Sequence, residues 1–332
     1  MTWLTWRQFR LPALSVFAGL IAIAVVLAVT RPDLLSRTDF SDQDTLFGGT
    51  ILVLYLLPAV IGVFWGVPMI TRELESGTHS LVWNQTITRK RWLTTKLGFG
   101  LLAAMVAGGL LSVAVSWWAS PIDALSAQQT DRGMLARISP VVFGARGIVP
   151  IGYAAFALAL GVAVGMLLKR TVAAMAVTLA VLAAVLLLVP SFVRPYLLPP
   201  QTQTVAITGE NITNITGDDT HGILEIGVRK PAGAWELANE TLDPAGIVVS
   251  PLPDFVQTCV PRPDRQTPTP PPPPRESFEV CLAQLGAHGY HQRVTFQPGS
   301  RFWPLQWLEL GLYLALTALL TWFCYRRLRH LS

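Results

Sequence analysis

Apolar residues fall into six long runs, at about 11–30, 47–70, 94–119, 146–168, 172–193 and 304–324, with polar stretches between them. A helix rises about 1.5 Å per residue, so roughly 20 residues cross the hydrocarbon layer of a bilayer. Each run is long enough, and the pattern predicts an all-α transmembrane bundle of six helices. Arg7 and Arg10 precede the first run, as in a secretory signal, but a signal's apolar part is usually about 7–15 residues and this one is longer. Trp3, Leu4, Trp6, Arg7, Phe9 and Arg10 read in two ways. They form either an interfacial helix, with Pro12 turning the chain into the lipid, or a plain extension of the first run.

The segment 194–303 is too polar to span and too long for an idle connection. Short alternating stretches at 204–208, 224–228 and 293–297 predict strands, and 276–287 a short helix carrying Cys281. The chain therefore divides into 1–193, holding five spans, an α+β domain at 194–303, and 304–332, the sixth span with a basic tail. A proline tract at 270–274 favours stiff polyproline II between Cys259 and Cys281. A bridge between those cysteines would clip the excursion and stabilise it by about 3 kcal/mol; two free thiols are the alternative.

Composition agrees with burial in lipid. Only 14% of the 332 residues are charged against 52% hydrophobic, where a soluble domain carries roughly 25% charged residues. The net charge of +5 is scattered over short connections with no stripe or patch, which argues against nucleic acid as a partner. Its distribution sets an orientation. Arg7 and Arg10, then Arg72, Arg89, Lys90, Arg91 and Lys96, then Lys169 and Arg170, then Arg326, Arg327 and Arg329 mark every second connection as basic. Basic connections stay in the cytoplasm, so both termini are expected there and 194–303 outside. Outside the reducing cytoplasm a disulfide persists.

The connection at 72–96 is rich for a loop of its size. Leu74, Thr78, Leu81 and Val82 share one helical side, Gly77 breaks the element, and Thr88 can cap a second helix that opens with Arg89, Lys90 and Arg91. The result is a hairpin with an apolar and a charged side, shaped to dock on a partner; an ordinary loop held by positive charge is the bland alternative.

Here the run Arg72-Glu73-Leu74-Glu75-Ser76-Gly77-Thr78, followed by Thr88-Arg89-Lys90-Arg91-Trp92 and Lys96, resembles the corresponding loop of type-two ATP-binding-cassette (ABC) permeases. The opening Trp3-Leu4-Thr5-Trp6-Arg7-Gln8 and Arg301-Phe302-Trp303-Pro304 look like an actinobacterial branch of them. The resemblance covers nearly the whole chain, although the large domain before the sixth run departs from better-studied members. It implies an exporter permease that couples to separate ATPase subunits through Arg72, Glu73, Gly77, Thr78, Arg89, Lys90, Arg91 and Lys96. The partners it implies are two copies of an ABC ATP-binding subunit, and a second permease copy or a sister permease. No GxxxxGK[ST] phosphate loop occurs in the chain, in keeping with a permease that is not itself an enzyme.

Other chemistry is sparse. Glu309 is expected about a turn inside the sixth span and Arg146 at the edge of the fourth, and a carboxylate at that depth needs a partner. Arg146 or Arg301 would supply it. Gly62-xxx-Gly66 and Gly161-xxx-Gly165 allow close helix approach, as mobile or as static contacts. Pro58 and Pro68 interrupt the second run, where kinks are tolerated if neighbours satisfy the freed carbonyls. His221, His288 and His291 have no metal-ligand spacing, no catalytic constellation stands out, and no cofactor is expected. The rival readings are a membrane sensor or scaffold whose outer domain binds a ligand, and a membrane enzyme with an external active site.

Overall fold

The computed structural model describes residues 2–36, 44–76, 88–128, 135–218, 222–257, 280 and 283–328. Six helices are long and apolar enough to cross a membrane: span 1 Arg10–Pro32, span 2 Thr45–Glu75, span 3 Arg89–Ala127, span 4 Val149–Leu168, span 5 Thr171–Tyr196 and span 6 Gly299–Leu328. Span 1 lies within one continuous helix, Thr2–Ser36, which contains Pro12 without breaking. Residues 2–10 are thus helical and continuous with the first span. Pro12 lies about three turns into that helix, where it removes one backbone N–H donor.

The chain divides into two compact units, one of Met1–Leu125, Pro140–Leu198 and Ser300–Ser332, the other of Ser126–Ser139 and Pro199–Gly299. In the first unit span 4 is the central helix, and nearly every residue from Val149 to Met166 is buried. Small residues make that possible. A Cβ on Gly66 would lie 2.7 Å from the Leu158 carbonyl oxygen and 3.2 Å from the Gly161 Cα, and one on Gly161 would run into the Gly62 carbonyl. The two glycine motifs therefore face each other, backbone on backbone. On other sides of span 4, Gly108 of span 3 abuts the Pro150 carbonyl and Gly152 abuts Tyr313 and Leu310 of span 6.

Span 2 is not a uniform α-helix. Ile61–Gly66 is π-helical, and the Val67 N–H reaches the Gly62 oxygen. Such a bulge absorbs the local mismatch that proline creates in a helix, here between Pro58 and Pro68. It lies over the glycine contact with span 4. Spans 4 and 5 join through a tight turn in which Lys169 takes φ 53 and its N–H caps the Gly165 carbonyl. Span 5 ends through a π-helical Val189–Val193 and a 3-10 turn Arg194–Tyr196, so the helix carries Arg194 with it.

Before span 4 the sequence reading began the fourth helix at 146; the structure instead has a short helix Pro140–Phe143, a turn, and a helix from Val149. Gly147 takes φ 69 in that turn, a left-handed value that glycine tolerates. The Gln306 carboxamide of span 6 accepts from the N–H groups of Ile148 and Val149, both at 2.9 Å, and donates to the Phe143 oxygen at 3.0 Å. One side chain thus satisfies both the orphan amides of a helix start and a free carbonyl, in place of water.

The second unit is built on two small sheets. Strands β1 (Gln201–Ala206), β5 (His291–Gln297) and β4 (Trp235–Leu242) form one antiparallel sheet in the order β1-β5-β4, and β2 (Ile212–Asp218) pairs with β3 (Gly222–Val228) in the other. Three of the five strands overlap the alternating stretches read from sequence; β2 and β4 carry Asn, Thr and Glu and were not anticipated. Asn239 of β4 bonds the Val228 oxygen at 2.8 Å, and buried Gln292 of β5 bonds the Ile226 oxygen at 2.6 Å, so side-chain amides stitch the sheets together. Ile207, Ile223, Ile226, Leu252, Val256 and Leu285 form one core cluster and Val228, Ala234, Val294 and Phe296 another. The helix expected at 276–287 is seen at 283–287, much of the rest lying outside the described residues. Cys259, Cys281 and the proline tract also lie outside them, and with them the expected bridge.

Candidate functional site

The described members of the expected coupling set, Arg72, Glu73, Arg89, Lys90, Arg91 and Lys96, lie at one end of spans 2 and 3. Thr88 opens span 3: its hydroxyl accepts the Arg91 N–H at 3.4 Å and its carbonyl the Trp92 N–H at 3.1 Å. Arg89, Lys90 and Arg91 are exposed in the first turn that follows, and Arg72 is exposed in the last turns of span 2. Gly77 and Thr78 lie outside the described residues, as does the rest of the stretch 77–87 that joins the two spans.

Glu73 and Lys96 pair with each other. Lys96 Nζ bonds Glu73 Oε1 and, at 3.0 Å, the Met69 carbonyl, while Trp92 Nε1 donates to Glu73 Oε2 at 3.1 Å. Lys96 also lies 4.9 Å from the centroid of the Trp92 ring. The pair is largely shielded, with 6% and 14% side-chain exposure for Lys96 and Glu73. Glu75, two residues on, takes the other direction. Its carboxylate accepts the backbone N–H of Thr171 at 2.7 Å and the Thr171 hydroxyl at 2.7 Å, which places a negative charge at the start of span 5. The hydroxyls of Thr171 and Thr71 are 2.7 Å apart. The end of span 2 is thereby braced to spans 3 and 5 by two carboxylates on one short helical stretch. Glu73 and Lys96, expected as parts of a docking motif, are each other's partner across the facing ends of spans 2 and 3.

The second site is near the other end. Span 2 carries both Tyr55 and Glu73, about 27 Å apart along its axis at the helical rise. Glu309 of span 6 is fully buried, as is Arg194, and they form a two-pronged pair: Nε to Oε2 at 2.6 Å and Nη2 to Oε1 at 2.9 Å. Such forked geometry is the strong form of a guanidinium–carboxylate bond. Tyr153 of span 4 donates to Glu309 Oε1 at 2.8 Å, and Arg194 Nη1 donates to the Pro140 carbonyl at 2.9 Å. The guanidinium lies 4.3 Å from the centroid of the Phe143 ring. Tyr55 of span 2 reaches the Val141 carbonyl at 3.2 Å. Spans 2, 4, 5 and 6 and the short helix thus converge on one polar cluster.

Glu309 therefore does not pair with Arg146 or Arg301. Arg146 is buried in the turn before span 4 and bonds Asp123 of span 3, Nε to Oδ2 at 3.3 Å. The reason is helical: the distorted end of span 5 runs on to Tyr196, bringing Arg194 into the bundle, whereas hydropathy ends the span at 193. A basic residue beside Pro195 at a span's edge was the available signal. Among the described residues no group of three or more His, Cys, Asp or Glu could hold a metal ion.

Six apolar helices sharing a core with a dry ion pair define a multi-pass membrane protein. Comparison with known families then gives the family: the profile described as ABC-2 membrane transporter related matches residues 28–194, half of the chain, and the protein belongs to that family. The matched region runs from span 1 to Arg194 and includes the whole of 72–96. No curated protein and no solved structure matched the chain.

Proposed function

We propose that the chain is the permease subunit of an ATP-driven exporter, powered by two separate ABC ATP-binding subunits that dock on the hairpin 72–96. In this reading the hairpin and both termini are cytoplasmic, residues 194–303 are external, and a second permease copy or a sister permease completes the pathway. The chain itself hydrolyses nothing. The family match across the hairpin supports the reading, and one structural observation carries it: the base of the hairpin is tied through Glu73 to span 3 and through Glu75 to span 5. A force on a free loop dissipates in that loop. A force on a braced one moves several spans together as a rigid body. Arg89, Lys90 and Arg91 supply exposed charge for docking, and Glu73 and Lys96 hold the hairpin's legs. Few charges enter the spans, which favours an amphipathic cargo.

The test is purification of the tagged full chain from its native membranes. A stoichiometric cassette ATPase is expected to accompany it, and reversal of Arg89, Lys90 and Arg91 to Glu is expected to remove that ATPase while the permease stays monodisperse. Purification without any cassette ATPase, or one retained after the reversal, rejects the coupling role. Impermeant labelling of single cysteines placed at 90 and at 208 decides the orientation. Labelling of both from one side of the membrane rejects it.

A further inference from the structure

Spans 1, 2 and 3 enclose a cleft of about 290 Å³ whose chemistry is divided along its length. Phe64, Pro68 and Arg72 line it from span 2 at intervals of four residues, with Phe99 opposite on span 3. Residues four apart stack on one helix face, so this stripe is about 12 Å long between the backbone positions of Phe64 and Arg72. Phe64 is 60% exposed, so the apolar end opens toward lipid. Gly100 lets the Met69 methyl pack against span 3 at the floor, where a Cβ would lie 2.6 Å from it. At the polar end Glu73 and Lys96 neutralise each other. Arg72 is left as the rim cation, exposed and with no ion pair shown among the described residues.

We propose that this cleft binds one anionic phospholipid, an acyl chain lying along Phe64, Pro68 and Phe99 and the phosphate meeting Arg72. The charge balance selects the occupant. A zwitterionic head would bring its own cation to a site that already holds one, and a wholly apolar molecule would leave the rim unused. Arginine matches phosphate with two parallel N–H donors, which an annular contact does not require. Volume agrees, because 290 Å³ is near the lower end of ligand sites, room for part of one chain and not for a bilayer patch. The proposal needs only that the chain spans a membrane, and holds whichever way the protein is oriented and whatever drives it.

The purified full chain is placed in nanodiscs with a phosphatidylglycerol bearing a photoactivatable acyl chain, or with the matched phosphatidylcholine. After irradiation, peptides covering 64–72 and 96–100 are expected to carry about fivefold more of the anionic probe, the order expected of one basic residue at a membrane surface. Arg72→Gln is expected to abolish the difference and Arg72→Lys to keep most of it, compared on equal amounts of monodisperse protein. Equal labelling by the two lipids, or a preference that survives Arg72→Gln, overturns the proposal and leaves ordinary lipid contact. Excess inorganic phosphate is expected to leave labelling in place; displacement by phosphate overturns a phospholipid as the occupant.

Discussion

The two ends of the helical unit hold their charges differently. Arg194 and Glu309 are wholly shielded, doubly bonded to each other and bonded further to Tyr153 and the Pro140 carbonyl. Glu73 and Lys96 make a simpler pair, largely but not wholly shielded, beside the exposed Arg72, Arg89, Lys90 and Arg91. In a low dielectric an unpaired charge is costly, so the first pair tolerates no loss of a member, whereas solvent can relieve the second. One end is built as a lock and the other as a bracket.

The sharpest way to break that contrast is to remove one half of the lock. Glu309→Met or Arg194→Met alone is expected to destabilise the protein by about 3–5 kcal/mol, because the remaining charge is buried without a partner. Arg194→Met with Glu309→Met is expected to recover most of that loss, since two apolar residues need no partner. Thermal unfolding in detergent would measure all three. A double variant as unstable as the singles would show that the cluster is held by something other than charge pairing. Transport lost in a stable double variant would assign the pair a role beyond folding.

Between the two ends lies the glycine contact of spans 2 and 4. Gly161→Val is expected to destabilise by about 1–3 kcal/mol or more, since the obstructing atoms are backbone of span 2 and cannot rotate away. Gly98→Ala is the control: nothing lies within 4 Å of its Cβ position, and alanine favours helix over glycine by about 1 kcal/mol. Equal loss from both substitutions would discount the close approach.

At the bracket, Glu73→Gln is expected to cost about 1–2 kcal/mol, less than either half of the lock, since Lys96 keeps the Met69 carbonyl and some contact with water. A loss as large as that from Glu309→Met would erase the distinction. The smallest effect is expected in the second unit, where Arg293 and Glu240 pair at 2.8 Å with about a third of each side chain exposed. Arg293→Ala should change stability by only about 0.2–1 kcal/mol, and by less at high salt.

Apolar run length and the alternation of basic connections were enough to read six helices, because a bilayer imposes the same local demand on each residue it contains. The capping role of Thr88 and the two glycine motifs were also legible, since both depend on neighbours in sequence. Partnerships were not. Hydropathy reports how deep a residue lies and is blind to how a helix is rotated, so it left Glu309 a choice of arginines and took Arg194 for the first residue beyond the span. Polar strands β2 and β4 escaped for a related reason: their Asn, Thr and Glu residues break the apolar alternation, and their pairing with β3 and β5 is not written in their own sequence. What the chain alone determined was therefore the number of helices, their lengths and the spacing of small residues along them. Only the tertiary structure decided that Gly62 and Gly66 meet Gly161, that Glu73 closes on Lys96, and that Arg194 bends inward through a distorted helix end, because each depends on two distant segments arriving at one place in one rotation.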